Sequence, residues 1–344
     1  MKIGVLTGGG DCPGLNPAIR AVVRRADQYG YSVLGINNGW AGLLGEGNVA
    51  PLGLRDVSGI LTLGGTMLGT SRTNPFKNPD QVQQVIDNLM RHEMDALIAI
   101  GGDDTLNVAN GLSKLDQKVV GIPKTMDNDV NGTDFTIGFN SAVTVVMDAL
   151  DRLHTTASSH HRVLVVEVMG RDAGWVAVVG GLAGGADFIL IPERPTSIAT
   201  VCQHLERRRA MGKDFSIIVI AEGAVVPDIE AAADSSTKTD AFGHVRLDRR
   251  NIAELFGREI ENRTGFETRV TVLGHVQRGG SPTLFDRVMA TRFGVAAVDY
   301  VREGRFGYMP SLRGTEIVPC KLSDAVAKSR TVDLDLYELA QIFY

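Results

Sequence analysis

Five charged side chains follow two short, mostly apolar runs in the first half of the chain. The runs are residues 95–100 and 119–123, and the charged residues after them are Asp103, Asp104, Lys124, Asp127 and Asp129. Short apolar runs that end at glycine or proline are typical of buried parallel strands. The carboxyl ends of such strands form the edge at which open α/β sheets bind ligands. The spacing therefore predicts that these charges gather at one sheet edge.

Four carboxylates and one lysine at one edge carry a high electrostatic cost unless a bound cation and a bound anion share the charge. Each aspartate taken singly also fits a turn or a helix cap, because Asp favours those positions. The set as a whole predicts a metal–phosphate site. In such a site Asp103 can hold a metal, Asp127 can take a proton from an acceptor hydroxyl, and Lys124 adds a positive charge, which suits phosphoryl transfer.

Glycine-rich loops follow two other runs of strand character. Residues 2–6 lead into three consecutive glycines that include Gly9 and Gly10, and residues 59–63 lead into a glycine pair and then Arg72. Backbone N–H groups in such loops can bind an anion, and an arginine adds a charged donor. The first loop matches neither the Walker nor the dinucleotide pattern. Tight turns and a polar loop with an incidental arginine remain the alternative interpretations.

The second half of the chain places arginines at the ends and starts of apolar runs. Arg171 and Arg278 follow predicted strands, whereas Arg162 and Arg269 stand where predicted strands begin. A guanidinium makes bidentate contacts with phosphate, so arginines that converge from two domains suit a doubly phosphorylated substrate.

Composition narrows the class of protein. The 344 residues include 35 basic and 40 acidic side chains, so the chain has no excess of positive charge with which to bind nucleic acid or an anionic membrane. No signal sequence opens the chain and no apolar run reaches membrane length. The three distant cysteines, Cys12, Cys202 and Cys320, argue against a disulfide framework and for a reducing compartment. We therefore predict a cytoplasmic location.

Alternating strand and helix patterns predict an α/β fold with two similar three-layer domains and mostly parallel sheets. The remaining predicted strands are residues 31–36, 163–168, 188–191, 215–221 and 269–273, and the predicted helices are residues 16–29, 80–91, 139–153, 251–264 and 286–302. Residues 155–162 are a polar stretch after the predicted helix at 139–153, and residues 274–282 are predicted to be an exposed polar loop. Residues 228–248, with few large apolar side chains, are predicted to be a surface insertion.

The chain resembles the 6-phosphofructokinase family over nearly its whole length, most closely the pyrophosphate-dependent members. The motifs that carry the resemblance are Gly-Gly-Gly-Asp-Cys-Pro-Gly-Leu-Asn (8–16), Gly-Gly-Asp-Asp-Thr (101–105), Pro-Lys-Thr-Met-Asp-Asn-Asp (123–129), Met-Gly-Arg (169–171), Glu-Gly (222–223) and Gly-His-Val-Gln-Arg-Gly-Gly (274–280). The resemblance implies a donor domain of residues 1–138 plus 277–327 and a fructose 6-phosphate domain of residues 139–276 plus 328–344. It places the active site in the cleft between them.

The same resemblance implies a role for each matching residue. Asp127 is expected to take the proton of the sugar 1-hydroxyl, and Asp103 to hold Mg²⁺. The residues expected at the phosphoryl donor are Gly9, Gly10, Arg72, Asp104 and Lys124. The residues expected at fructose 6-phosphate are Thr125, Asp127, Met169, Gly170, Arg171, Glu222, His275 and Arg278. Arg162 and Arg269 are expected to reach the sugar phosphate from a neighbouring subunit, which implies a homo-oligomer, either a dimer or a tetramer.

Two positions bear on whether the phosphoryl donor is ATP or pyrophosphate. The resemblance implies that ATP-using members carry glycine where this chain has Asp104 and Lys124, and that pyrophosphate users resemble this chain. The Asp104 carboxylate would repel an α-phosphate by a few kcal/mol at an effective dielectric of about 20. Lys124 would neutralise pyrophosphate and its transition state. We therefore expect reversible phosphoryl transfer from pyrophosphate to fructose 6-phosphate. The alternatives are an ATP-dependent enzyme and a catalytically silent sugar-phosphate sensor of the same fold.

Overall fold

The computed structural model describes residues 1–229 and 251–344, which form two compact units. The first unit joins Met1–Ser141 with Arg278–Ser329, and the second joins Ala142–Gln277 with Arg330–Tyr344. The predicted insertion at residues 228–248 lies, from residue 230 onward, outside the described residues.

The strands in chain order are β1 (Lys2–Thr7), β2 (Ser32–Ile36), β3 (Val49–Leu52), β4 (Ala96–Gly101), β5 (Val119–Thr125), β6 (Ile137–Gly138), β7 (Val163–Val168), β8 (Phe188–Leu190), β9 (Ser216–Ala221), β10 (Thr268–Val272), β11 (Tyr308–Arg313) and β12 (Glu316–Lys321). The helices are α1 (Leu15–Gln28), α2 (Pro79–Arg91), α3 (Asp103–Lys114), α4 (Phe139–His160), α5 (Trp175–Ala183), α6 (Ile198–Ala210), α7 (Ile252–Thr264), α8 (Leu284–Arg302), α9 (Leu322–Ala325) and α10 (Leu334–Gln341). Among the described residues, no helix is both long and apolar enough to cross a bilayer.

In the part of the chain that the structure describes, each unit contains one sheet. In the first unit the strand order is β12-β11-β5-β4-β1-β2-β3, with β6 paired to the end of β5. Only β3 and β12 run antiparallel to their neighbours. In the second unit the described strands are all parallel, in the order β10-β7-β9-β8. Two mostly parallel sheets flanked by helices confirm the predicted α/β class.

The apolar runs form buried strands because a parallel sheet that is covered on both faces favours apolar side chains throughout. Every residue of β4 is buried. The register pairs Gly101 of β4 with Pro123 of β5. Both strands therefore end at the same edge, as predicted, although β5 extends to Thr125 and so contains Lys124.

Two predicted elements were wrong. Residues 59–63 form no strand: Gly59 has a left-handed φ of 80°, and a 3₁₀ helix, Ile60–Thr62, follows it. Helix α4 was predicted to end at residue 153, but it continues to His160 through the polar stretch that follows. Hydroxyls there hydrogen bond to the helix itself, as Ser159 Oγ does to Thr155 O at 2.7 Å, so polar composition does not end the helix.

The predicted loop at residues 274–282 also begins with regular structure. A 3₁₀ helix, Gly274–Arg278, follows β10, and its Gln277 side chain is fully buried. The Gln277 amide donates to Gly274 O at 3.1 Å, so this turn is closed by its own side chain.

Candidate active site

The glycine loop after β1 is tied to the neighbouring strand ends of the first unit. Gly8 N donates to Ile100 O at 2.9 Å, at the end of β4. Gly9 N donates to Ser71 O at 3.1 Å, and Thr70 Oγ1 donates to Gly9 O. The loop that carries Arg72 therefore lies against the first glycine loop, and the Arg72 side chain itself is exposed.

Side chains lie close to the backbone of this loop on two sides. A Cβ at Gly8 would collide with the Thr105 side chain of α3, and a Cβ at Gly10 would collide with the guanidinium of Arg278. Arg278 also donates to Asp11 O at 3.1 Å. Within the first unit, Arg278 thus lies beside the predicted donor loop.

Lys124 lies beneath this loop and is only 2% exposed. Its Nζ donates to Gly8 O at 3.1 Å and also to Gly10 O. Burial is the main cause that lowers the pKa of the Lys124 ammonium, and Arg278 lowers it further, while Cys12, Asp127 and Asp11 oppose the shift. The two carbonyls hold the ammonium in one place, where it can meet an anion that binds to the loop.

Asp127, which follows the end of β5, is 4% exposed. Its Oδ2 accepts from Thr125 Oγ1 at 3.2 Å, while its Oδ1 is buried and has no hydrogen-bond partner among the described residues. A buried carboxylate oxygen without a donor is uncommon, because desolvation of the charge is then uncompensated. A substrate hydroxyl would supply the missing donor.

The turn that carries Asp127 is fixed by its neighbour. Asn128 adopts a left-handed φ of 54°, a conformation that Asn tolerates better than most residues. Its Oδ1 accepts from Thr136 N at 3.0 Å, and its Nδ2 donates to Asp134 O at 3.2 Å. The Asp127 carboxylate is thereby held on a braced backbone.

The acidic pair opens helix α3. Asp103 and Asp104 occupy its first turn, where the helix dipole favours negative charge, and Gly102 caps it. A Cβ at Gly102 would lie 3.4 Å from Lys124 O and 3.5 Å from Thr125 Cβ. The start of α3 therefore lies directly against the end of β5.

The metal-ligand chemistry of this edge suits Mg²⁺ that phosphate oxygens help to hold. No group of three or more His, Cys, Asp or Glu side chains in the described parts of the chain could bind a metal without further ligands. Mg²⁺ commonly takes one or two protein carboxylates and completes its shell with phosphate and water. Asp103, in the first turn of α3 and next to Gly102, which lies against the end of β5, could supply such a carboxylate.

In the second unit, Glu222 organises the loop after β7. Its Oε1 accepts from Gly170 N at 3.2 Å and from Arg171 N at 3.0 Å. Arg171 has a left-handed φ of 51°, and a Cβ at Gly223 would collide with Arg171 O. The predicted sugar residues of the 169–171 loop and Glu222 thus meet at the carboxyl ends of β7 and β9. His275, also predicted to bind the sugar, is exposed on the 3₁₀ helix after β10.

Arg162 and Arg269 lie at the opposite edge of the same sheet, where β7 and β10 begin. Arg162 Nη2 lies 2.8 Å from Glu267 Oε1, and Arg269 Nη2 reaches the same oxygen. Arg162 Nε is buried and has no partner among the described residues. The six residues of β7 span about 20 Å at 3.3 Å each, so this pair lies far from Arg171 within the unit.

Glu267 was not among the residues predicted from the sequence to belong to the site. A signal was present, because Glu267 and Arg269 are two positions apart at the start of a strand and therefore lie on one face. Nothing local to the sequence shows that Arg162, about a hundred positions earlier, joins them. The Thr105 side chain that contacts Gly8 was missed for the same reason.

An α/β protein whose glycine loop, buried lysine and acidic helix start meet at one sheet edge has the parts of a phosphoryl-transfer enzyme. Residues 2–301 match the sequence profile described as Phosphofructokinase. The chain belongs to the phosphofructokinase family, as its motifs predicted.

Relatives with either donor in their names are similar to this chain. The pyrophosphate–fructose 6-phosphate 1-phosphotransferase of Amycolatopsis mediterranei (strain S699) is 54% identical over all of both chains. The ATP-dependent 6-phosphofructokinase of Corynebacterium efficiens is 47% identical over 100% of this chain and 99% of its own. The structure of phosphofructokinase from Saccharomyces cerevisiae matches 95% of this chain at 34% identity with a TM-score of 0.82. The match spans 45% of that longer chain.

Proposed function

We propose that this chain transfers a phosphoryl group reversibly from pyrophosphate to the 1-hydroxyl of fructose 6-phosphate, giving fructose 1,6-bisphosphate and phosphate. The observation that carries the proposal is the Lys124 ammonium, which is buried under the glycine loop and held by the carbonyls of Gly8 and Gly10. A preorganised cation at that position can neutralise the charge that develops on a transferring phosphoryl group and on the phosphate that leaves.

Asp127 is the proposed general base. Its unpartnered Oδ1 is available to the substrate hydroxyl, and the braced turn keeps the carboxylate in place. The proton of the 1-hydroxyl passes to Asp127 as the hydroxyl oxygen attacks the phosphorus. In the reverse direction the same group returns the proton.

Asp103 is the residue that would hold Mg²⁺. When bound there, the ion would neutralise charge on the phosphate oxygens of the donor. The glycine loop, with Gly9 and Gly10 and with Arg72 at its margin, would orient pyrophosphate through backbone N–H groups and one guanidinium.

Asp104 and Lys124 support pyrophosphate as the donor more specifically than overall similarity does. Relatives named for pyrophosphate and for ATP have similar sequence identities to this chain, at 54% and 47%. Asp104 adds negative charge at the start of α3, beside the end of β5. A nucleotide would bring an α-phosphate and a ribose to a site that already holds this carboxylate. Pyrophosphate brings neither.

The sugar would bind through two sets of residues in the second unit. Met169, Gly170, Arg171, Glu222 and His275 form the first set, which would meet the substrate with Thr125 and Arg278. Arg162 and Arg269 form the second set, at the opposite edge of the sheet. Within one subunit, the length of β7 separates the two sets. We therefore propose that a neighbouring copy of the chain supplies the second set, so that the active protein is a homo-oligomer. We also propose that it acts in the cytoplasm.

One assay tests this function. Purified protein with Mg²⁺ is given fructose 6-phosphate and either pyrophosphate, ATP or no donor, and fructose 1,6-bisphosphate is measured. We expect product with pyrophosphate and little with ATP. Equal or greater turnover with ATP would favour an ATP-dependent enzyme, and no turnover with either donor would favour a sugar-phosphate sensor.

A further inference from the structure

One carboxylate oxygen joins the two arginines at the amino edge of the second sheet. Glu267 Oε1 lies 2.8 Å from Arg162 Nη2 and also accepts from Arg269 Nη2. The hydrogen bond from Arg162 is the main cause that holds the pKa of Glu267 below its ordinary value. Glu267 is therefore an anion at neutral pH, and it sits between two permanent cations.

The backbone fixes this arrangement. Val163 N donates to Glu267 O at 3.0 Å, and Thr268 pairs with Val163 in the parallel register of β10 and β7. Glu267 and Arg269 share a face because they are two positions apart, and Arg162 precedes the neighbouring strand. Without the Glu267 carboxylate, the guanidinium groups of Arg162 and Arg269, which now reach the same oxygen atom, would repel each other and move apart.

The two guanidinium groups differ in their other contacts. Arg269 Nη1 donates to Thr268 O at 2.9 Å, which holds its plane against the strand. Arg162 Nε is buried and has no partner among the described residues, a costly state that an added acceptor would relieve. Glu267 thus accepts from the Nη2 group of each arginine and leaves the Arg162 Nε donor without a partner among the described residues.

We propose that Glu267 is a positioning residue that holds Arg162 and Arg269 together as a preformed pair for the 6-phosphate of the sugar. This inference rests on the proposed function, in which those two arginines bind that phosphate. Glu267 itself does not contact the substrate. It acts by fixing two flexible side chains before the substrate arrives, which removes an ordering cost from binding.

A different role for Glu267, occupation of the phosphate site itself, predicts the opposite effect on sugar binding. If Glu267 instead occupied the place of the phosphate, the substrate would have to displace it, and removal of the carboxylate would tighten sugar binding. Loss of a positioning carboxylate weakens sugar binding.

The test compares Glu267→Ala and Glu267→Gln with the wild type in the full-length oligomer. Glu259→Ala is the matched control, because Glu259 also pairs with an arginine, Arg263, on the exposed surface of the second unit. We expect Glu267→Ala to raise KM for fructose 6-phosphate about tenfold, as loss of a charge-assisted contact would, with little change in kcat or in KM for pyrophosphate.

The remaining variants separate positioning from general damage. Glu267→Gln keeps an oxygen that accepts from the arginines, so it should restore most of the affinity, and Glu259→Ala should match the wild type. In an Arg162→Ala background, Glu267→Ala should add less than about twofold, because the pair it organises is already broken.

Three results would overturn the proposal. An unchanged or lowered KM for fructose 6-phosphate in Glu267→Ala, beside a raised KM in Arg162→Ala, would contradict the positioning role alone. A change in kcat equal to that in KM would indicate general damage. An Arg162→Ala variant with unchanged KM would instead contradict the proposed phosphate site, and the inference would fail with it.

Discussion

Lys124 and Asp127 lie three positions apart, yet their hydrogen-bonding states differ. The ammonium of Lys124 is held by the carbonyls of Gly8 and Gly10, whereas Oδ1 of Asp127 has no partner among the described residues. The Lys124 ammonium is therefore preorganised to interact with an anion. Asp127 Oδ1 is left as an acceptor to which a substrate hydroxyl can donate a hydrogen bond. At the scale of single residues, this contrast supports the two roles that we propose, charge stabilisation for Lys124 and proton acceptance for Asp127.

Replacement of Asp127, the proposed base, tests these two roles. Asp127→Asn keeps the shape and the contact with Thr125 but removes the proton acceptor, so we expect kcat to fall by about 10²–10⁴-fold in both directions. KM for fructose 6-phosphate should change little. Asp116→Asn, at an exposed position with left-handed backbone, serves as the control. Turnover near that of the wild type in the Asp127 variant would remove Asp127 from the role of base.

At the scale of elements, a buried carboxylate joins two helix starts in the first unit. Asp286, in the first turn of α8, is fully buried and accepts from Gly138 N at 3.0 Å, from Ser141 N at 2.7 Å and from Ser141 Oγ at 2.6 Å. These donors lie on β6 and on the first turn of α4. Asp286 thus satisfies N–H groups that the start of α4 would otherwise leave without partners.

Asp286→Asn should destabilise the protein, because an amide NH₂ would face N–H donors that need an acceptor. We expect the free energy of unfolding to fall by about 1–3 kcal/mol. Chemical denaturation of Asp286→Asn and of Asp80→Asn, an exposed aspartate in the first turn of α2, gives the comparison. Equal stability of the two variants would mean that the Asp286 contacts contribute no net stability.

Sequence patterns predicted the elements whose signal is local. Apolar runs that end at glycine, such as β1 and β4, were found because a parallel strand buried on both faces carries that pattern. The β11–β12 hairpin was missed, since Pro310 and Pro319 interrupt its pattern and β12 is a half-exposed edge strand. The 3₁₀ helix after Gly59 was mistaken for a strand because a short apolar run does not by itself set the backbone conformation.

In the candidate site, as in the fold, features with a local sequence signal were predicted and features without one were not. The order of strands and loops was enough to place Asp103 and Lys124 at one sheet edge. The contact between Thr105 and Gly8, and the carboxylate of Glu267 shared by two arginines, depend on residues distant in sequence. Such contacts follow from tertiary packing, which no local pattern encodes.

At the scale of the whole molecule, the polarity of the second sheet bears on assembly. Arg171 and Glu222 follow the carboxyl ends of β7 and β9, while Arg162 and Arg269 stand at the amino ends of β7 and β10. Parallel strands keep these two sets apart in every copy. A single sugar phosphate can meet both sets only if two copies contribute.

Subunit mixing tests this sharing. Asp127→Asn and Arg162→Ala proteins are each expected to have low activity at subsaturating sugar. Mixed and allowed to exchange subunits, they should recover activity, because some hybrid sites combine an intact base with an intact arginine. Exchange is verified with differently tagged chains. If exchanged hybrids gain no activity over the separate proteins, the two residues act within one subunit.

The choice between pyrophosphate and ATP as donor is tested by one ratio: kcat/KM for pyrophosphate divided by kcat/KM for ATP. It is measured with fructose 6-phosphate and Mg²⁺ in the wild type, Asp104→Gly, Lys124→Gly and the double variant. We expect the wild type to favour pyrophosphate strongly, Asp104→Gly to gain some ATP use, and the double variant to favour ATP more than either single change. Loss of pyrophosphate activity should follow chiefly from Lys124→Gly, and the two effects should not add, because both side chains act on the same phosphates. A wild type that prefers ATP, or an Asp104→Gly variant with unchanged ATP use, would contradict the account.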